Sequence, residues 1–205
     1  MQVRRFVGMT ATVAVLAASG SAAADKAEVG AAAPGFILPD VQGTIHSLKD
    51  FKGKYVVLEW VNFDCPFVQK HYRSGSMPAL QAGYTAKGVV WLSICSSAPG
   101  KQGYFEGDEL KERIAEEKAA PSAYLVDKEG TVGRAYGAKT TPHMFVINRQ
   151  GTLIYGGGID NIRSTDTDDI AKATNYVRAA LDAAMDGKAV AVSSSAPYGC
   201  SVKYK

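Results

Sequence analysis

The feature that most constrains this fold is an apolar strand that runs into a cysteine, a proline and a helix. Residues 55–61, Tyr-Val-Val-Leu-Glu-Trp-Val, have the β-branched and aromatic content of a buried strand. Pro66 has the backbone angle of a first helical residue, so the pattern places Cys65 at the helix cap. The free amide groups and positive dipole end of a helix start favour thiolate over thiol, and thiolate attacks peroxides and disulfides. Cys65 is therefore the candidate nucleophile, with Lys70 as a supporting cation.

The chain after Cys65 alternates helices and strands, which predicts an α/β domain. A helix over 77–86 and a buried strand over 89–94 complete a strand–helix–strand unit, whose crossover is right-handed. Before the cysteine strand, residues 36–38 and 44–47 predict a hairpin around a Gln-Gly turn. The later predicted elements are a helix over 104–118, a strand over 123–126, a short helix over 132–136, a hairpin of 144–147 with 152–155, and a closing helix over 170–185.

The length of 205 residues, 46% of them hydrophobic, suits one compact domain. Residues 1–24 have the pattern of a secretory signal peptide, with Arg4 and Arg5 before an apolar stretch and three alanines at the cleavage site. We therefore predict a signal peptide over 1–24, a domain over 25–188 and a C-terminal tail over 189–205 that carries Cys200. The expected location is the periplasm or the exterior of the cell.

The net charge and the number of cysteines narrow the possible functions further. Without its first 24 residues the chain has 21 basic and 20 acidic residues, so nothing indicates binding to nucleic acid. Disulfides persist in oxidising compartments, where a thiol survives only if a reductant returns electrons to it. The three cysteines are Cys65, Cys95 and Cys200, and an odd number leaves at least one without an intramolecular partner. The glycines lack the spacing of a dinucleotide-binding loop, and no cofactor is predicted.

Several short motifs give the chain a resemblance to a known family. They are Pro34-Gly-Phe-Ile-Leu-Pro-Asp, Phe51-Lys-Gly-Lys-Tyr-Val-Val, Asp64-Cys-Pro-Phe-Val, Ala135-Tyr-Gly, Thr141-Pro-His and Gly199-Cys-Ser-Val-Lys. With them the chain resembles the thioredoxin-fold superfamily. More narrowly it is similar to the peroxiredoxin-like branch of the alkyl hydroperoxide reductase and thiol-specific antioxidant family. The resemblance implies a thioredoxin-like α/β fold: a central mixed sheet with helices on both faces, an N-terminal hairpin and a C-terminal tail.

The same resemblance assigns supporting residues and shows departures from the family pattern. It implies a cis peptide bond before Pro142, with Pro142 beside Cys65 and the backbone of Thr141 aligning an incoming sulfur. Thioredoxins have a second cysteine three residues after the first, where this chain has Val68. Typical peroxiredoxins have a threonine three residues before the attacking cysteine, where this chain has Asn62, and no arginine here clearly matches their peroxide-polarising one.

The leading hypothesis is an exported thiol oxidoreductase. Cys65 would attack a peroxide or a substrate disulfide, and Cys200 would resolve the product into an internal or intersubunit disulfide. Cys95 is the alternative resolving thiol, because it ends the strand predicted to neighbour the cysteine strand. The expected partners are the substrate, a thiol reductant and, as the family suggests, a second copy in a homodimer.

Two other hypotheses remain open from the sequence. In one the protein is a copper-handling or partner-binding module, with Cys65, His71 and His143 as metal ligands. In the other the chain keeps the fold without catalysis, and Cys65 has ordinary thiol reactivity.

Overall fold

A five-stranded mixed sheet forms the centre of the protein in a computed structural model, which describes Gln2 and residues 26–205. The predicted signal peptide lies outside the described residues, apart from Gln2. In chain order the strands and α-helices are β1 (Ile37–Pro39), β2 (Ile45–Ser47), β3 (Val56–Trp60), α1 (Pro66–Arg73), α2 (Ser76–Thr85), β4 (Val90–Cys95), α3 (Gly107–Glu116), β5 (Ala123–Val126), α4 (Thr131–Tyr136), β6 (Thr140–Thr141), β7 (His143–Ile147), β8 (Leu153–Gly157), α5 (Tyr176–Met185) and β9 (Cys200–Ser201).

The strand order is β5-β4-β3-β7-β8, with β3 in the middle. β3 and β4 are parallel, as are β4 and β5, whereas β7 pairs antiparallel with both β3 and β8. All five residues of β3 are buried, because both faces of the sheet are covered. The predicted mixed sheet, the N-terminal hairpin and the strand–helix–strand unit around Cys65 are confirmed.

Each face of the sheet has its own apolar core. On one face, Val57, Trp91 and Val146 pack with side chains of α1, α2, α3 and α5. On the other, Leu58 and Leu92 pack with α4 and with the N-terminal hairpin. Helices therefore cover both faces, as the resemblance implied. The end of β3 that leads to Cys65 lies between the two apolar cores.

Two predicted helices are shorter than the sequence pattern suggested. The helix predicted over 104–118 begins only at Gly107, because Gly103 has a positive φ and the chain turns there before Glu106 caps the helix. The helix predicted over 170–185 is divided. Residues Thr167–Lys172 form a separate 3-10 helix, and α5 begins after Asn175, whose side chain accepts a hydrogen bond from the Arg178 N–H.

The C-terminal tail over 189–205 is held against the rest of the domain. Cys200 and Ser201 form β9, which pairs antiparallel with β6. Tyr198 is buried, with 2% of its surface exposed. Among the described residues, no helix combines the length and the apolarity needed to cross a membrane.

Candidate active site

Cys65 caps the helix that the sequence predicted. Its extended backbone stands immediately before α1, with Pro66 as the first helical residue. The Cys65 carbonyl accepts hydrogen bonds from the N–H groups of Val68 and Gln69, both at 2.9 Å. Its sulfur therefore lies at the amino end of a helix, where the free amides and the helix dipole favour negative charge.

The turn that delivers Cys65 is organised by Asn62. The Asn62 side-chain oxygen accepts a hydrogen bond from the Asp64 N–H at 2.9 Å. The Asn62 backbone carbonyl accepts one from the Cys65 N–H at 3.0 Å. The Asn62 side-chain amide donates to the carbonyl of Gln102 at 3.4 Å, which ties the turn to the loop after β4. Because Asn62 is 1% exposed, this is a buried and fixed turn.

The Cys65 sulfur has two backbone partners from distant parts of the chain. It donates a hydrogen bond to the carbonyl of Thr141 at 3.1 Å. It also accepts one from the N–H of Cys200 at 3.4 Å. The Thr141–Pro142 peptide bond is cis, as the resemblance implied. Cys65 has no exposed surface, so the segments that carry Thr141 and Cys200 cover the sulfur.

Cys200 is the cysteine that the tertiary structure brings to Cys65. The antiparallel register of β6 with β9 places Cys200 opposite Thr141, although Cys65 and Cys200 are 135 residues apart in sequence. Burial, and after it the neighbouring Cys65, raises the pKa of Cys200 to about 11. Cys200 is half-buried and Cys65 is fully buried, so solvent reaches the pair from the Cys200 side.

Cys95, the alternative resolving thiol, lies in a different environment. It ends β4 as predicted, is 3% exposed, and donates a hydrogen bond from its sulfur to the Gly103 carbonyl at 3.3 Å. Burial raises the pKa of its thiol, as it also raises that of Cys200. Its sulfur has Gly103, Ser97 and Tyr124 as neighbours, whereas the backbone of Cys200 bonds directly to the Cys65 sulfur.

Lys70 lies inside the molecule. Its ammonium donates to the Ile162 carbonyl at 3.1 Å and to the Ser164 hydroxyl at 3.3 Å, and it lies 3.8 Å from an Asp160 carboxylate oxygen. Lys70 therefore joins α1 to the segment after β8. Its influence on Cys65 stays a prediction.

The two histidines of the copper hypothesis have separate partners. His71 Nε2 lies 3.8 Å from Asp160, and burial lowers the pKa of the ring to about 4. His143 accepts a hydrogen bond from the Lys139 N–H at 3.2 Å, and burial lowers its pKa to about 4 as well. Within residues 26–205, no three side chains of His, Cys, Asp or Glu form a group that could hold a metal ion, so the proposed Cys65, His71 and His143 set does not come together.

The buried carboxylate of Glu59 was not predicted from the sequence. It is the fourth of the five residues of β3, has no exposed surface, and accepts hydrogen bonds from the side chains of Tyr72, Gln81, Trp91 and Ser93 at 2.8 to 3.1 Å. Burial raises its pKa. The available signal was a charged residue within an otherwise apolar strand, six positions before Cys65. The network joins β3 to α1, α2 and β4.

A family model described as the AhpC/TSA family matches residues 29–156. The matched range contains Cys65, Cys95 and Pro142 and ends before the tail. Among curated proteins, the thiol-disulfide oxidoreductase ResA of Bacillus thuringiensis subsp. konkukian is 28% identical over 130 residues, which are 63% of this chain and 69% of the relative. The match with Bacillus cereus ResA has the same identity and coverage.

Solved structures give the same picture of the fold. An uncharacterized conserved protein from Geobacillus kaustophilus superposes with a TM-score of 0.74 at 28% identity, over 87% of this chain and 93% of that one. A hypothetical protein from Sinorhizobium meliloti gives a TM-score of 0.69 at 27% identity, over 88% and 97%. A Chlorobium tepidum protein assigned as thiol:disulfide interchange protein DsbE gives 0.52 at 27% identity, over 64% and 85%.

Proposed function

Because the chain belongs to the AhpC/TSA family, we propose that it is an exported thiol oxidoreductase in which Cys65 attacks the substrate and Cys200 resolves the product. The class of thiol-dependent oxidoreductase follows from the family and from relatives named thiol-disulfide oxidoreductase. The observation that supports the choice of residues is the hydrogen bond from the Cys200 N–H to the Cys65 sulfur at 3.4 Å. It holds the two cysteines together in the folded protein.

With a peroxide as substrate, the Cys65 thiolate attacks one oxygen, breaks the O–O bond and becomes a sulfenic acid, while an alcohol or water leaves. The Cys200 thiol then attacks the sulfenic sulfur, water leaves, and a Cys65–Cys200 disulfide forms. Two equivalents of an external thiol return both cysteines to the reduced state and become a disulfide themselves.

With a disulfide as substrate, Cys65 displaces one sulfur and forms a mixed disulfide with the other. Cys200 then attacks the Cys65 sulfur, which releases the second substrate thiol and gives the same internal disulfide. The names of the ResA relatives favour this substrate, whereas the name of the family favours a peroxide. Both routes use the same helix-capping sulfur and the same resolving thiol.

Export is part of the proposal. It is supported by the basic start, apolar stretch and small residues of positions 1–24. An oxidising compartment would keep the Cys65–Cys200 disulfide formed until a dedicated thiol reductant acts.

The test is non-reducing peptide mapping after one equivalent of hydrogen peroxide or of oxidised glutathione. We expect a Cys65–Cys200 link in the native protein and in Cys95→Ser, which is the matched control. The link should be absent from Cys65→Ser and Cys200→Ser, and Cys200→Ser should stop at a Cys65 sulfenic acid or mixed disulfide. A Cys65–Cys95 link, or a Cys65 that stays a thiol with both oxidants, would contradict the proposal.

A further inference from the structure

Asp160 is a buried carboxylate, 4% exposed, that lies just after β8 and has no part in the proposed reaction so far. Its oxygen Oδ1 accepts hydrogen bonds from the Tyr198 hydroxyl at 2.5 Å and from the Ile162 N–H at 2.9 Å. Its other oxygen, Oδ2, lies 3.8 Å from Lys70 Nζ and 3.8 Å from His71 Nε2. One carboxylate therefore contacts both α1 and residues 193–205, which we call the C-terminal segment.

On one side, this carboxylate is fixed to the helix that Cys65 caps. Lys70 and His71 lie in the second turn of α1, and the side chain of Lys70 has no exposed surface. A buried ammonium is stable only when an opposite charge or hydrogen-bond acceptors compensate it, and Asp160 supplies such a charge. The position of Asp160 relative to Cys65 is therefore set through α1.

On the other side, the carboxylate holds Tyr198, which stands two residues before Cys200. Tyr198 is 2% exposed, and burial and then the hydrogen bond to Asp160 raise the pKa of its hydroxyl, which therefore stays a donor. Its ring packs edge-on against Phe67, the second residue of α1, with the ring centres 5.8 Å apart. Two residues of extended chain span about 7 Å, so a fixed Tyr198 keeps Cys200 close to Cys65.

The contacts nearer to Cys200 hold it less firmly than this anchor does. The strand β9 has two residues, and Cys200 is half-buried. A pairing this short supplies few hydrogen bonds, so the place of Cys200 depends on contacts outside the strand. A hydroxyl that donates to a carboxylate at 2.5 Å forms a strong, charge-assisted hydrogen bond, and Tyr198 makes one to Asp160.

We propose that Asp160 and Tyr198 are positioning residues for the resolving step, because their hydrogen bond holds Cys200 within reach of an oxidised Cys65. This inference rests on the proposed function. Both residues act through the backbone of the C-terminal segment rather than on the reacting sulfur atoms. They raise the effective concentration of the Cys200 thiol at Cys65, so that the internal disulfide forms before an external thiol or a second oxidant molecule reacts.

The step that this anchor serves exchanges one bond of Cys65 for another. The Cys200 sulfur attacks the oxidised Cys65 sulfur, the disulfide bond forms, and the bond from Cys65 to oxygen or to the substrate sulfur breaks. The leaving hydroxide or thiolate takes up the proton that the Cys200 thiol loses. The anchor neither gains nor loses a proton, so its removal should slow this step and leave the preceding attack by Cys65 unchanged.

The test compares two tyrosine variants of the full chain. Tyr198→Phe keeps the ring that packs on Phe67 and removes the hydroxyl that reaches Asp160. Tyr84→Phe is the matched control, because Tyr84 is also buried, at 3% exposed, and its hydroxyl donates to the carboxylate of Asp182 at 2.6 Å. That second pair joins α2 to α5, so its loss removes the same kind of bond without touching the C-terminal segment.

The two chemical steps are measured separately. Each protein is mixed with one equivalent of hydrogen peroxide or of oxidised glutathione and is quenched with acid at a series of times. Mass spectrometry then follows the oxidised Cys65 adduct and the Cys65–Cys200 disulfide. Equilibration with glutathione redox buffers gives the effective concentration of Cys200 at Cys65, and urea denaturation gives the stability of each variant.

We expect Tyr198→Phe to slow formation of the disulfide about ten-fold or more, and to lower the effective concentration of Cys200 by a similar factor, because a hydrogen bond to a charged group is lost. Cys65 should be oxidised at the native rate. Tyr84→Phe should show native values for both steps despite a comparable loss of stability.

Three outcomes would overturn the positioning role while the native disulfide still supported the proposed function. They are a native rate of disulfide formation in Tyr198→Phe, an equal slowing in Tyr84→Phe, and an equal slowing of the attack by Cys65 in Tyr198→Phe. Absence of the Cys65–Cys200 disulfide from the native protein with both oxidants would overturn the proposed function, and this inference with it.

Discussion

At the scale of single residues, the site depends on a few side chains whose chemistry follows from burial and from where the backbone places them. Cys65 obtains its position from Pro66 and from the Asn62 turn, both of which are local in sequence. Glu59 is different, because its four hydrogen-bond donors come from β4 and from two helices. A charged residue in a buried strand signals such a network, but its partners are known only after the fold is formed.

The burial of Glu59 predicts a specific pH dependence of stability. Its pKa is raised in the folded protein, whereas in the unfolded chain it should be about 4.3. Between those two pKa values the folded state keeps a proton that the unfolded state loses, so the folded protein loses stability as pH rises through this range. Below the unfolded pKa both states are protonated and the penalty is absent.

Glu59→Gln cannot titrate and provides the comparison. We expect the free energy of unfolding of the native protein, relative to that of Glu59→Gln, to fall as pH increases from about 4 upward. Urea denaturation of both proteins at a series of pH values measures this difference. A difference that is constant with pH, or that grows in favour of the native protein, would show that the folded-state pKa of Glu59 is not raised.

At the scale of secondary structure, local signals located most elements but not all of their ends. The spacing of apolar residues and the positions of proline and glycine correctly predicted six features: the cysteine strand, α1, β4, β5, α4 and the β7–β8 hairpin. The predicted start of α5 was wrong, because apolar residues of the preceding 3-10 helix fall at the same helical spacing as those of α5. The Asn175 cap separates the two helices. Asparagine is a common helix cap, but the sequence alone did not show that the helix begins immediately after Asn175.

The corrected start of α5 can be tested through its cap. Asn175→Ala removes the side-chain acceptor of the Arg178 N–H, and we expect a loss of about 1 kcal/mol in the free energy of unfolding. Asn175→Ser should keep most of the stability, because serine is also a good cap. Urea denaturation measures both. If Asn175→Ala were neutral, the helix would not begin where the structure places it.

At the scale of the whole molecule, the C-terminal segment 193–205 links parts of the chain that no local pattern connects. It joins the end of β8, the edge of β6 and helix α4, and it brings Cys200 to Cys65. The family model ends at residue 156, so the position of this segment beside Cys65 is known from the structure of this chain.

The proposed disulfide should have a large effect on global stability. Cys65 and Cys200 are 135 residues apart, and closing so long a loop restricts the unfolded chain strongly. In the chain-entropy description we expect the oxidised protein to be more stable than the reduced protein by about 3 to 5 kcal/mol. Denaturant unfolding with and without reductant measures the difference, and Cys200→Ser should show none. Equal stability of the two redox forms of the native protein would contradict the pairing.

Local sequence patterns predicted the α/β class, the strand–cysteine–proline–helix unit and the candidate nucleophile, and the family and its relatives confirm the class of thiol-dependent oxidoreductase. These depend on hydrophobic period, proline geometry and the chemistry of a helix start, which all act over a few residues. The folded structure was needed to show which thiol lies beside Cys65, which groups contact Lys70 and the histidines, and what surrounds Glu59. Apart from the local hydrogen bond between Lys139 and His143, those contacts join residues that are 13 to 135 positions apart, and they form only when the sheet, the helices and the C-terminal segment pack together.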